Sequence, residues 1–227
     1  MKKGLSIVIN LVLFAVIVFL AWQVVKSIQA PIKFNTEKDI REAQIVERLK
    51  DIRSAEVLYK QVHSKYTASF DSLINFCQTD SLPVIKMTSV YNPADSTYST
   101  ITDTIAFLSI MDSIRKGQAE RINEFDIHKI KYVPFGGQNQ TFELEAGSIN
   151  RNGVDIPVFE ARTPFEVYLA TPGRSFTQDK WDERVRNLKE EIATINRARE
   201  SNENKKYAGL KVGSMDDAVT DGNWEKL

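Results

Sequence analysis

The chain has 227 residues with 30 basic and 30 acidic side chains, so its formal net charge is zero at neutral pH. Setting aside Lys2, Lys3 and Lys26, which flank an apolar run, leaves 27 basic residues against 30 acidic ones, a balance without the basic footprint that nucleic-acid binding requires. One cysteine, Cys77, excludes an internal disulfide, and the roughly 195 residues beyond the apolar run suffice for one domain or a domain with a helical stalk.

From Leu5 to Val25 the chain is apolar except for Ser6, Asn10 and Gln23, and none of these residues is charged. As a helix rising 1.5 Å per residue the run reaches about 30 Å, the thickness of a bilayer's hydrocarbon core. It is longer than the core of a cleaved secretory signal, and Ile28-Gln29-Ala30 offers a poor small-x-small site, so the reading is an uncleaved transmembrane anchor over 5–26. Lys2 and Lys3 place the amino terminus, residues 1–4, in the cytoplasm by the positive-inside rule, and Trp22 suits an interfacial anchor. Residues 27–36, with Pro31, read as a linker into an extracytoplasmic α+β domain over 37–227.

Between Glu37 and Tyr66 apolar residues recur every three or four positions: Ile45, Leu49, Ile52, Ala55, Tyr59, Val62. This period predicts a long amphipathic spine helix over 37–66, supported by the acid-first pairs Glu37/Arg41 and Glu56/Lys60. The proximal part, with Ile40, Ile45, Leu49 and Ile52, is expected to be free to meet another chain, and the distal part, with Tyr59 and Tyr66, to pack on the domain. Thr67 to Leu82 reads as a turn and a short helix closed by Pro83. Tyr91 to Thr104, rich in Ser, Thr and Asp with Pro93, reads as a solvated loop or irregular hairpin. Thr100 to Ile114 fits either a strand or a helix.

The strongest β signal lies over 141–170. Phe142, Leu144 and Ala146 alternate with Glu143 and Glu145, Asn152-Gly153 supplies a turn, and Val154 to Ala161 and Phe165 to Leu169 follow, which predicts an antiparallel meander. Over 177–200, Trp181, Val185, Leu188, Ile192 and Ile195 form a second amphipathic helix with Thr177 as its cap. Leu210-Lys211-Val212 reads as a last short strand and Trp224 as an apolar plug.

Catalytic patterns are missing. His63 and His128 fall in different elements at no metal-site spacing, and neither a nucleophile elbow, a phosphate loop nor a zinc-protease motif is present. Gly136-Gly137 reads as a turn. Asp216, Asp217, Asp221 and Asn223 gather oxygen ligands that suit Ca²⁺, but their spacing departs from the twelve-residue loop and favours a solvated acidic turn. Asn139-Gln140-Thr141 is formally a glycosylation acceptor. No catalysis, cofactor, nucleic acid or small-molecule substrate is expected.

A basic amino terminus, one apolar helix, an amphipathic continuation, a tyrosine-bearing turn and a β-meander follow in an order that resembles the type IV pilin and type II secretion pseudopilin family. The local likeness lies in Ile52-Arg53-Ser54-Ala55-Glu56-Val57-Leu58-Tyr59-Lys60 and Lys65-Tyr66-Thr67-Ala68-Ser69-Phe70-Asp71-Ser72-Leu73, while Lys3-Gly4-Leu5-Ser6 resembles a prepilin cleavage site. The likeness covers about the first 75 residues. The chain differs where the family carries Glu five residues after Gly4 and has Ile9, and where Thr67 replaces the usual Pro. The resemblance implies a non-enzymatic, single-pass protein of the bacterial inner membrane with a periplasmic domain, a structural or assembly subunit of a secretion or appendage system. Its partners would be the membrane and other membrane helices, met through Asn10 in the apolar run. The alternative is a non-polymerising accessory subunit of a secretion motor or transport complex.

Overall fold

The computed structural model describes residues 2–92, 97–116, 124–137, 139–200 and 205–225, and of residues 2–9, 92 and 97 the backbone alone. The side chains of Lys2, Lys3 and Ser6, the Pro93 loop tip and Asn202 therefore lie outside the described residues. The described residues form, in order, α1 (Lys2–His63), α2 (Phe70–Thr79), β1 (Ser81–Asn92), β2 (Thr97–Ser109), α3 (Ile110–Lys116), a 3₁₀ turn (Ile127–Lys129), β3 (Glu143–Arg151), β4 (Val154–Pro164), α4 (Phe165–Tyr168), α5 (Gln178–Ala198) and β5 (Gly209–Gly213). The chain is α+β, with a long apolar N-terminal helix, antiparallel sheets and later helices.

α1 is one helix of 62 residues, about 90 Å long, and the linker expected at 27–36 is helical. Pro31 lies inside it and removes one backbone bond, the one the Ser27 carbonyl would accept. The helix holds because its next turns are gripped from outside: the Phe34 ring lies 4.8 Å from Trp181 and 6.3 Å from Phe176. Before that point the apolar side chains from Leu11 to Val25 are exposed. One described helix is thus apolar and long enough to cross a membrane by length and composition.

Past Phe34, α1 becomes the spine of the domain, and the expected division along it is reversed. Ile45, Leu49 and Ile52 are fully buried, whereas Tyr59 and Tyr66 are half-buried at the edge of the core. These three residues therefore face their own domain and not another chain; of the proximal set Ile40 alone is exposed. The cause is that α1 is covered on two sides, by β4 and β5 on one and by α2 and α3 on the other, so a single stripe understates the buried face.

The main sheet has the order β3-β4-β5, antiparallel throughout. β3 and β4 are joined by Asn152 and Gly153, both at positive φ (54° and 82°), the two-residue turn whose twist matches paired strands. Alternation then sorts the faces. Leu144, Ala146, Phe159, Ala161 and Val212 belong to the apolar core with α1. Glu143, Glu145, Glu160, Arg162 and Lys211 fill the other face: Arg162 donates to all three glutamates at 2.7–2.9 Å and Lys211 Nζ donates to Glu160 at 2.7 Å. Phe165 to Leu169, expected as a strand, is the helical turn α4, because Phe165, Tyr168 and Leu169 bury together at steps of three and one after the extended Pro164. The third strand is β5, the Leu210-Lys211-Val212 segment. Of the two readings of the Ser/Thr-rich stretch, loop or irregular hairpin, the second holds: β1 and β2 pair from Ser81↔Ser109 to Asn92↔Thr97, with a bulge between Val84 and Ile85.

Candidate functional site

The sequence-derived candidates do not converge. Asn10 is exposed on the apolar half of α1 and Ile40 on its middle, while Ile45, Leu49 and Ile52 are core. In the acidic loop Asp217 and Asn223 are held by hydrogen bonds within the protein. Asp217 Oδ1 accepts from Arg151 Nη2 and from the Ala218 amide, both at 2.8 Å. Asn223 bridges to β5, its Oδ1 accepting from the Lys211 amide at 3.1 Å and its Nδ2 donating to the Gly209 carbonyl at 2.9 Å. The main chain of the loop is also tied down, the Asp216 amide donating to Ser214 Oγ and the Asp221 carbonyl accepting from the Gly213 amide. Among the described residues no group of three His, Cys, Asp or Glu is placed to hold a metal ion. The loop's polar atoms tie the C-terminal segment back along β5.

Two polar arrangements on α1 escaped the sequence reading. Arg41 is 4 % exposed; its Nη1 donates to the Tyr168 and Thr171 carbonyls at 2.9 and 2.8 Å, and its guanidinium lies 4.9 Å from the Trp181 ring. Next to it Tyr168 donates its hydroxyl to Glu42 at 3.0 Å, and Trp181 Nε1 donates to the Leu169 carbonyl at 2.6 Å. A buried cation held by carbonyls through Nη1 and by aromatic faces is a clamp, fixing α1 to the α4–α5 connection, with Nε left buried and unpaired. The only sequence signal was the Glu37/Arg41 spacing, which suggests a surface pair.

The second is Glu56, fully buried, with Oε2 accepting from the Thr67 amide at 3.1 Å and Oε1 buried without a partner. Burial pushes its carboxyl up to about 8 against the lowering effect of the Thr67 amide. Cys77 beside it is pushed up to about 12 by burial and by the Glu56 charge, so its thiol stays protonated and inert. Asp126 and Glu225 move the other way. In Asp126 the Lys129 hydrogen bond leads; in Glu225 desolvation is the largest influence and acts upward, and Arg53 with the Gly222 amide outweighs it.

The cavities do not gather these groups. One of about 500 Å³ lies between α4 and α5, floored by Leu169, Val185 and Ala193 and rimmed by the Lys189–Glu166 ion pair. Another, about 380 Å³, lies beside α1 at Glu47, Arg48, Asp51 and Tyr132. Glu56, the carboxyl that burial raises, lines neither of them and is sealed in the core. What remains open to a partner is surface: the apolar half of α1 and the β1–β2 hairpin, whose large apolar side chains are exposed. No family model matches the chain, and no curated protein or solved structure matches it either.

Proposed function

We propose that the protein is a non-enzymatic, single-pass envelope protein, a structural or assembly subunit in the manner of the pilins and pseudopilins, with its α+β domain on the periplasmic side of a bacterial inner membrane. The observation that carries this reading is that α1 runs unbroken from an exposed apolar half into the buried spine of a domain. Exposed apolar side chains over such a length are costly in water and at home in lipid. In that setting Asn10 favours a hydrogen-bonding helix partner. A second reading, a non-polymerising accessory subunit of a secretion motor or transport complex, is favoured by Ile9 at the position where the resembling family carries its assembly glutamate.

Three measurements test the proposal. Alkaline carbonate should leave the protein in the membrane pellet, and release into the supernatant overturns the anchor. A cysteine placed at Ser148, exposed on β3, should react with a membrane-impermeant maleimide in spheroplasts. Crosslinking in membranes then separates the readings: a ladder of identical subunits supports assembly, and one fixed heteromeric band supports the accessory role.

A further inference from the structure

The β1–β2 hairpin is a two-stranded ribbon, with no third strand among the described residues. Its register assigns the side chains to two faces. Beyond the bulge Tyr91 lies opposite Tyr98, Met87 opposite Thr102 and Ile85 opposite Thr104, and on the near side Pro83 lies opposite Phe107. With a period of two, Ile85, Met87, Tyr91, Tyr98 and Phe107 share one face, spaced by Ser89, Thr100, Thr102 and Thr104. The two charges of the described ribbon, Lys86 and Asp103, pair with each other in register on the opposite face. The first face therefore carries no charge.

That face is also bare. Met87, Tyr98 and Phe107 are 72 %, 73 % and 71 % exposed, and Tyr91 and Ile85 about half exposed; the Tyr91 and Tyr98 rings lean on each other at 5.1 Å. The five side chains present roughly 700 Å² of surface along about 30 Å of strand, near the ~800 Å² per partner of a standard protein interface and above the ~300–600 Å² of the largest patch on an ordinary monomer. An isolated two-stranded ribbon is marginal in water, and two such ribbons stacked face to face make the four-stranded sandwich that is not.

We propose that the charge-free face of the β1–β2 ribbon binds the same face of a second copy of this chain. A copy is the occupant the surface fits. The area matches one side of a dimer, and a face without charge meets itself with no like-charge repulsion. The partner so named deepens the assembly role and rests on that role only for the choice of a copy over a foreign chain; the ribbon contact itself does not need α1 to cross a membrane.

The test uses the full chain in detergent, with mass measured by sedimentation equilibrium across the micromolar range. Wild-type protein should give a two-copy species, and Met87→Asp with Tyr98→Asp should weaken it at least ~10-fold, whereas Thr88→Asp on the opposite face should leave it unchanged. Melting curves of all three, taken at concentrations too low for association, should coincide, since the residues are exposed. A cysteine at Met87 should be crosslinked between copies by a bismaleimide, and one at Thr88 should not. A one-copy mass for wild type overturns the proposal, as does equal crosslinking from both faces. Association that survives Met87→Asp with Tyr98→Asp but is lost in Asn10→Leu assigns it to α1 and overturns the ribbon contact. Failure of carbonate retention, by contrast, overturns the envelope reading and leaves the ribbon result as it stands.

Discussion

The molecule contains two long antiparallel hairpins of similar size with opposite fates. In β3–β4 the chain alternates apolar and charged residues, so one face is fit to be covered and the other to face water, and α1 covers the first. In β1–β2 both faces mix apolar side chains with Ser and Thr, neither face carries a cluster of charges, and among the described residues the ribbon's main contact with the rest of the domain is its junction with α3. Equal backbone pairing thus gives a sheet that belongs to the core and a ribbon that stands outside it. What separates them is the covering layer, because a two-stranded sheet does not hold an apolar face in water alone.

The widest test of that contrast places the same charge in both regions. Ile45→Asp, in the layer that covers the sheet, should unfold the domain, because a buried unpaired carboxylate consumes most of the ~5–15 kcal/mol available to it; Tyr59→Asp, at the half-buried edge, should cost less. Circular dichroism melts compare the two, and a smaller loss for Ile45→Asp breaks the account of α1 as a doubly covered spine.

Next in size is a pH effect confined to the covered region. The Glu56 carboxyl titrates near 8 in the folded protein against 4.5 as its ordinary value, so the folded state holds its proton more tightly than the unfolded one. Stability on this account is full below about 4.5, falls as pH rises through the interval, and levels off above about 8, a loss of roughly 3–5 kcal/mol. Glu56→Gln should flatten that slope and melt above wild type at pH 8.5. An unchanged slope in the variant would assign the pH dependence elsewhere.

A smaller effect sharpens the sheet itself. Gly213 ends β5 at φ +77°, and a Cβ there would sit 2.2 Å from the Phe159 carbonyl oxygen, so Gly213→Ala should cost about 2 kcal/mol in strain and displaced pairing. At the bottom of the scale, Met87→Asp should change the melting free energy by no more than ~0.5 kcal/mol, as exposed sites do. A large loss there would mean that the ribbon is packed in the free chain.

Legibility in the sequence tracks the same contrast. Phe142 to Ala146 and Asn152-Gly153 announced β3 and β4 because a half-covered strand writes its burial into period two, and Trp181 to Ile195 announced α5 in the same way at period 3.6. The ribbon was only half legible, as one of two readings, because Thr and Ser, at home in strands, are also the residues of loops, and Lys86 and Asp103 alone mark a polar face. Phe165 to Leu169 read as strand because a short apolar run suits both periods. Of the polar groups on α1, neither the Arg41 clamp nor the buried Glu56 was legible. Their partners Tyr168, Thr171 and Thr67 are carbonyls and an amide of the main chain or distant in sequence, and no spacing rule reaches them.

The unbroken course of α1 has a mechanical consequence. A domain hung from a slack tether points anywhere, but one built around the far end of a rod takes its bearing from whatever grips the near end. Phe34 and the Arg41 clamp weld the domain to that rod within three turns of Pro31, where the ladder has one rung fewer. Any bending therefore concentrates at Pro31, and everything beyond it swings as one piece, carrying the ribbon at a set reach and a set angle like the jib of a crane.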